Sequence, residues 1–171
     1  MRLTPKTVAD ERDWVRDRAD VVVPLLNEVR ADLGDLFDTE VDPVTEATYR
    51  REVDAVFTDG DLAVNVAALV AILRDLDVAG DYPGFVVDEL LGRELAGTIA
   101  GNQPLGLLAE ATFHYADLLS HPDDSEDTGE PAGADDLDAA LAAGFQTRLP
   151  GWDWRETESP FAVRDGSADE D

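Results

Sequence analysis

Hydrophobic residues recur at helical spacing along most of the chain, and this pattern predicts an all-α fold. The first such stretch begins after Thr7, a predicted N-cap, and ends at Gly34. Pro24 interrupts it, because proline lacks a backbone N–H and its ring clashes with the preceding turn. The pattern therefore predicts either one kinked helix or two helices that meet near residues 21–24.

Start and stop signals divide the next part of the chain into four more predicted helices. A proline or a capping residue marks each start. The predicted helices cover residues 43–59, 62–76, 84–100 and 104–120. Between Leu62 and Leu73 only Asn65 is polar, and a helix that is apolar all round is buried all round. We therefore expect the segment Leu62–Leu76 to be the central helix of the fold.

The chain changes character after residue 121, where the predicted helical domain (residues 1–121) ends. Residues 122–134 contain five acids, no base and no bulky apolar residue, which predicts an acidic flexible linker. Residues 135–163 are predicted to form a short helix and a tryptophan-containing segment that packs on the domain. Residues 164–171 are predicted to be a disordered tail. The expected architecture is a five- to six-helix bundle around a buried central helix, with the C-terminal segment docked on the core.

The charge of the chain is extreme and its composition is unusual. The chain contains 39 acidic and 13 basic residues, which gives a formal net charge of −26, and Lys6 is the only lysine. Loss of lysine together with an excess of aspartate resembles the cytoplasmic proteins of extreme halophiles. At about 1 M salt the Debye length is only about 3 Å, so self-repulsion is weak while the charge still favours solubility. We expect a haloadapted protein; an acidic mesophilic protein and an acidic DNA mimic that binds a basic protein are the alternatives.

Several classes of protein are disfavoured by what the sequence lacks. It has no basic patch of the kind that nucleic acids or anionic membranes attract. Its longest apolar run has 12 residues, too few to span a bilayer, and its first ten residues contain no signal-peptide core. Cysteine does not occur, which removes disulfides and thiolate chemistry. The expected location is the cytoplasm.

No diagnostic catalytic motif occurs in the sequence. There is no P-loop, no nucleophile elbow, no dinucleotide fingerprint and no His-Glu-x-x-His motif. Lys6 lies too near the terminus to be a good Schiff-base residue. We therefore predict a non-enzymatic domain that binds a partner or has a structural role, with a protein partner or a homodimer as its contact.

One group of residues on the fifth predicted helix carries a different hypothesis. Glu110, His114, Asp117 and His121 share one stripe of that helix. Imidazole and carboxylate groups suit divalent transition metals, and helical bundles build metal sites from such residues. The alternative function is therefore a metal-dependent helical-bundle enzyme with a divalent metal on this stripe. The Glu-x-x-His pair typical of such sites does not occur, so a solvated polar face is the simpler interpretation. No other cofactor is predicted.

The N-terminal segment carries almost no net charge. Residues 1–34 contain six bases and seven acids, a net charge of −1, whereas residues 35–121 contain four bases and seventeen acids. Arg12, Arg16 and Arg18 lie close together within it. They are predicted either to pair with neighbouring acids or to form a docking surface for an acidic partner or a phosphate.

Two tryptophans near the C-terminus are a second candidate contact. Trp152 and Trp154 follow the acidic segment and are costly to leave in water. Either they fold back onto the helical core, or they form a linear element that docks on a partner.

The composition makes a prediction about salt. Thermal melts in low salt (about 0.1 M KCl) and high salt (about 3 M KCl) should show a clearly higher melting temperature in high salt, because screening removes the self-repulsion of 39 acids. Circular dichroism at the helical band provides the measurement. Equal melting temperatures in the two buffers would refute haloadaptation.

Overall fold

The computed structural model describes residues 2–76, 79–101, 105–120 and 134–150, and these are mainly helical. Within these ranges the chain forms seven helices: α1 Pro5–Asp17, α2 Ala19–Leu36, α3 Glu46–Thr58, α4 Gly60–Asp75, α5 Asp81–Ala100, α6 Leu105–Ser120 and α7 Ala134–Arg148. The described residues contain no strand. The prediction of an all-α fold is confirmed, with more helices than the five or six expected.

The predicted first segment forms two helices that meet at Arg18. Thr4, rather than Thr7, is the N-cap of α1, since Pro5 occupies the first helical position. The two threonines cap reciprocally: the Thr7 N–H donates to Thr4 Oγ1 (3.2 Å) and the Thr4 N–H donates to Thr7 Oγ1 (2.7 Å). Pro24 lies inside α2 without ending it. The break therefore falls before the proline.

The start of α3 also differs from the sequence prediction, because a side-chain contact caps the helix. α3 begins at Glu46, since the Thr45 hydroxyl accepts a hydrogen bond from the Thr48 N–H (3.2 Å) and caps the helix there. α7 runs through Gly144 and ends at Arg148. Gly144 serves close packing inside the helix rather than its termination.

The helix that is buried on all sides is α7. From Leu137 to Thr147 every residue is buried, and the helix packs against α2, α3, α4, α5 and α6. α4, which contains most of the predicted central segment Leu62–Leu76, buries one face and exposes Val64, Asn65 and Ile72. The prediction that this segment is the central helix is therefore wrong. Hydrophobicity alone did not identify the central helix, because α7 owes its position to the small size of its side chains.

Small residues allow α7 and its neighbours to approach closely. A Cβ on Gly144 would lie 2.9 Å from Ile99 Cβ and 3.0 Å from the Ala96 carbonyl oxygen. A Cβ on Gly92 of α5 would lie 2.3 Å from the Phe113 ring of α6. These distances are shorter than van der Waals contact. The packing of α5, α6 and α7 therefore depends on glycine at these positions.

A buried arginine holds the C-terminal end of α7. Arg30 of α2 is only 1% exposed. Its guanidinium donates to the carbonyl oxygens of Gln146 (3.1 Å), Asp42 (3.4 Å) and Pro150. The last carbonyls of a helix lack intrahelical donors and carry partial negative charge. Arg30 supplies both the donors and the opposite charge at this point.

Tyr49 of α3 links α1 to α7 in the core. Its hydroxyl donates to the Val15 carbonyl oxygen at 3.0 Å, and its ring packs edge-to-face on Phe145, with centroids 5.3 Å apart. Burial raises the pKa of Tyr49 above its usual value, and the negative charge of Asp138 acts in the same direction. The phenol therefore stays neutral and remains a hydrogen-bond donor.

Among the described residues, no single helix has the length and apolar composition needed to cross a membrane. α3 and α4 meet these criteria only as a pair, and they bend by 110° at the break between them.

The close packing of α7 predicts an unusual response to alanine. Gly144→Ala should destabilise the protein by about 1–3 kcal/mol through overpacking, although alanine inside a helix normally adds about 1 kcal/mol of stability over glycine. A Cβ on Gly60 would meet open space, with no neighbour within 4 Å, so Gly60→Ala should be neutral or stabilising. Urea titrations in high salt measure both variants. A gain in stability for Gly144→Ala equal to that for Gly60→Ala would contradict the close approach of α5 and α7.

Candidate functional site

Two of the arginines predicted to bind a partner line an open groove between α1 and α3. The groove has a volume of about 450 Å³ and is lined by Arg12, Asp13, Arg16, Asp54 and Thr58. Arg12 Nη2 lies 3.0 Å from Asp13 Oδ1, and Arg16 pairs with Asp54. Two cations face two anions, so the lining of the groove is electrically balanced. The structure thus brings Arg12 and Arg16 together, each beside an acid.

Arg18, the third predicted partner-binding arginine, has a different environment. Its guanidinium makes two hydrogen bonds to the Asp138 carboxylate of α7, one of them from Nε to Oδ1 at 3.0 Å. The Asp138 side chain is only 4% exposed. A bidentate, mostly buried pair of this kind fixes the orientation of both side chains. Arg18 therefore ties the junction of α1 and α2 to the central helix.

Other arginines also connect helices. Arg74 of α4 pairs with Glu11 of α1 at 2.7 Å, and its guanidinium lies 4.6 Å from the centroid of the Trp14 ring. Arg148 of α7 pairs with Glu52 of α3 at 2.8 Å. Half of the arginines in the described part of the chain connect helices, so these basic side chains serve the fold.

The residues of the predicted metal stripe differ in orientation on α6. The Glu110 carboxylate packs against α5, since a Cβ on Gly97 would lie 2.9 Å from Glu110 Oε1. His114 is exposed, and Asp117 is half-buried. Among the residues that the structure describes, no group of three or more histidines and acids is arranged to hold a metal ion. His121, the fourth residue of the stripe, lies outside the described ranges.

The solvent-facing side of α6 is mainly apolar. Leu107, Ala111, His114 and Leu118 are all exposed, and we call these four residues the outer face of α6. The two leucines are 58% and 59% exposed, so most of their surface meets water. Their spacing of four, three and four residues places them on one line along the helix. This line contains no acid, although the chain has 39.

The opposite side of α6 explains this orientation. The residues that α6 buries are mostly small: Gly106, Ala109, Thr112 and Ala116, together with Phe113. They recur at helical spacing, and Phe113 among them lies against Gly92 of α5. Because small residues permit the closest helix approach, they face the core, and the larger leucines at positions 107 and 118 are left outside.

Acidic residues border the outer face. On one side are Glu110 and Asp117 of α6 itself. On the other side Tyr115 donates a hydrogen bond from its hydroxyl to the carboxylate of Asp32 on α2. This hydrogen bond raises the pKa of Tyr115 above its usual value. The outer face is therefore a mainly apolar strip with a polar rim, as protein contact surfaces commonly have, and here the rim is acidic.

Sequence reasoning missed the outer face. It considered the stripe from Glu110 to His121 only as a metal site or a solvated polar face, and it drew no inference from the leucines of this helix. The signal that could have revealed the orientation of α6 is the recurrence of small residues along one side of it. Glycines also occur on the neighbouring helices, at positions 92, 97 and 144. The other predicted contact, Trp152 and Trp154, lies outside the described residues.

The described residues define an all-helical protein in which several arginine–carboxylate pairs join the helices. The chain belongs to the family described as a domain of unknown function, DUF7984, whose model matches residues 1–165. The match covers all seven described helices. No curated protein and no solved structure matches the chain.

The buried pair of Arg18 and Asp138 predicts a large effect of removing one partner. Arg18→Leu should cost about 3 kcal/mol of unfolding free energy, because it leaves a buried carboxylate without its guanidinium. Arg12→Leu, which breaks an exposed pair, should cost less than about 1 kcal/mol. Urea titrations in high salt compare the two. The double variant Arg18→Leu/Asp138→Leu should recover much of the lost stability, because it removes the unpaired carboxylate as well. If Arg18→Leu and Arg12→Leu lowered the unfolding free energy equally, the buried pair would contribute no more than an exposed one.

Proposed function

We propose that this chain is a non-enzymatic, haloadapted cytoplasmic protein that acts by binding another protein through the outer face of α6. The observation that carries the proposal is the exposure of Leu107 and Leu118 on a helix that could have buried them. Exposed leucines in a line along a helix are the usual anchors when a helix packs on a groove or on another helix. Scattered single leucines would not support this idea.

The charge of the chain strengthens the argument. The chain has a formal net charge of −26, so it repels another acidic macromolecule over most of its surface. The outer face of α6 is a line of residues without acids, and the repulsion is weaker there. The bordering carboxylates of Glu110, Asp117 and Asp32 disfavour nonspecific binding of the outer face to other apolar surfaces, because such binding would desolvate them. Selective contact with one partner is the role that such an arrangement favours.

The groove between α1 and α3 supports the proposal less well. Arg12 and Arg16 each have an acid beside them, so an acidic ligand would have to compete with Asp13 and Asp54. That competition costs much of the electrostatic gain. The outer face of α6 needs no such exchange, and it is therefore the better candidate for the contact.

A photo-crosslinking residue tests this proposal directly. Benzoylphenylalanine at position 118 should give a crosslinked product of higher mass in the cells that make this protein. The same residue at position 64, which replaces the exposed Val64 of α4, is the matched control and should give little product. Mass spectrometry of the product reports the chain that is captured. Equal or no crosslinking at the two positions would contradict a contact at α6.

A further inference from the structure

We propose that the C-terminal segment of this chain, residues 151–165, folds back and covers an exposed apolar surface at the end of α2. That surface consists of Leu36 and Phe37, which we call the apolar pair, and the residues that cover it are Trp152 and Trp154. The contact lies apart from the outer face of α6, so it is independent of the proposed function. Its evidence is the exposure of the apolar pair, the place where the described chain ends and the composition of the residues beyond that place.

The described residues leave the apolar pair in contact with water. Leu36 is 74% exposed and Phe37 is 51% exposed, and no other large hydrophobic residue among those described is more exposed than Leu36. Leu36 is the last residue of α2 and Phe37 follows it as the C-cap, so the end of the helix fixes both. Single exposed hydrophobic residues are ordinary, whereas adjacent large ones form a patch of the kind that marks a contact.

A buried arginine fixes the place where the described chain ends. The guanidinium of Arg30 donates to the carbonyl oxygens of Pro150 and Asp42. Arg30 and Phe37 are seven residues apart on α2, which is two helical turns or about 10 Å. Residues two turns apart lie on the same side of a helix. Pro150 is therefore held on the side of α2 on which Phe37 lies.

The length of chain beyond Pro150 suits this contact. Trp152 and Trp154 follow within four residues, and an extended chain spans about 3.3 Å per residue. Both tryptophans are therefore within reach of the apolar pair. The outer face of α6 lies in another direction: its border includes Asp32, which is two residues from Arg30 and thus about 200° further around α2. The segment would have to pass around α2 to cover that face.

The composition of the segment fits an apolar surface. Outside the described ranges, tryptophan and phenylalanine occur only after residue 150, whereas residues 121–133 are polar, small or proline. Indole rings are large and mostly apolar, so they gain by leaving water. The model of the family continues to residue 165, so the segment lies within the region that the family shares.

One charge of the segment also complements this surface. Arg155 directly follows Trp154, and the exposed residues Asp35 and Asp38 flank the apolar pair. With the tryptophans on the apolar pair, the guanidinium comes near these carboxylates. Opposite charges at the rim of a contact favour one orientation over others.

Tryptophan fluorescence of the full chain in high salt tests the contact. The chain has three tryptophans, so in the variant Trp14→Phe the emission comes from Trp152 and Trp154 alone. We expect emission at short wavelength, as from buried indoles. Adding Leu36→Gln and Phe37→Gln should shift the emission to longer wavelength, because the rings lose their apolar contact and meet water. Circular dichroism checks that each variant keeps its helices.

Two changes of the same kind on α6 provide the control. Leu107→Gln and Leu118→Gln, made in the same Trp14→Phe chain, should leave the emission maximum where it was. Emission at long wavelength before any further change overturns the proposal, because the tryptophans are then in water. A shift caused by the α6 changes and not by those at the apolar pair overturns it as well, and so does short-wavelength emission that neither pair of changes alters.

Engineered cysteines test the same contact without altering its apolar residues, since the natural chain has no cysteine. Asp153→Cys places a thiol between the two tryptophans, and Asp35→Cys places one beside the apolar pair. On mild oxidation in high salt, this double variant should form an intramolecular disulfide several times faster than Asp42→Cys/Asp153→Cys. Asp42 is the matched control, because its backbone shares Arg30 with Pro150 and therefore lies closer to the end of the described chain.

The outcomes of the cysteine experiment are distinct. A segment that is only tethered reaches position 42 at least as fast as position 35, since its effective concentration is highest near the tether, and this result overturns the proposal. A disulfide that joins two chains, seen without reductant as a product of twice the mass, assigns the apolar pair to a second copy and overturns it too. Crosslinking of position 118 to another protein neither requires nor excludes this contact, so the proposed function and this inference fail separately.

Discussion

The complete burial of α7 is the constraint on which the rest of the structure depends. A helix surrounded by other helices must have small side chains where they approach, and partners for each polar group it carries. Alanines and Gly144 meet the first requirement. Arg18 meets the second at Asp138, and Arg30 meets it at the last carbonyls of the helix. Two of the few cations in a strongly acidic chain thus lie where a buried helix needs them.

The orientation of α6 follows from the same constraint. α5, α6 and α7 pack closely only if each turns its small residues inward, and Gly92 against Phe113 is the tightest example. α6 has apolar residues on both sides, so turning the small side inward leaves Leu107 and Leu118 exposed. The surface proposed for contact is therefore a consequence of core packing, which limits how it can be changed without disturbing the fold.

Periodicity predicted most of the helices, because most have a regular apolar stripe and recognisable end signals. The end of α5 at Ala100 before Gly101 and the start of α6 after Pro104 are examples. It could not predict which apolar stripe faces inward when a helix has two, as α4 and α6 do. That choice depends on side-chain size across several helices, which no single stretch of sequence contains. The same limit explains why Leu62–Leu76 looked central and why the outer face of α6 went unnoticed.

The pairing of arginines inside the fold changes what the net charge means for contact. Arg16, Arg74 and Arg148 each join two helices, so these cations offset acids at helix junctions and leave much of the remaining surface acidic. On such a surface an apolar line without acids lowers the electrostatic work of bringing two chains together. Concentrated salt lowers that work further by screening the border acids, but it adds no attraction of its own between like charges. The attraction must come from the leucines, so salt controls whether the contact is populated while the apolar face determines where it forms.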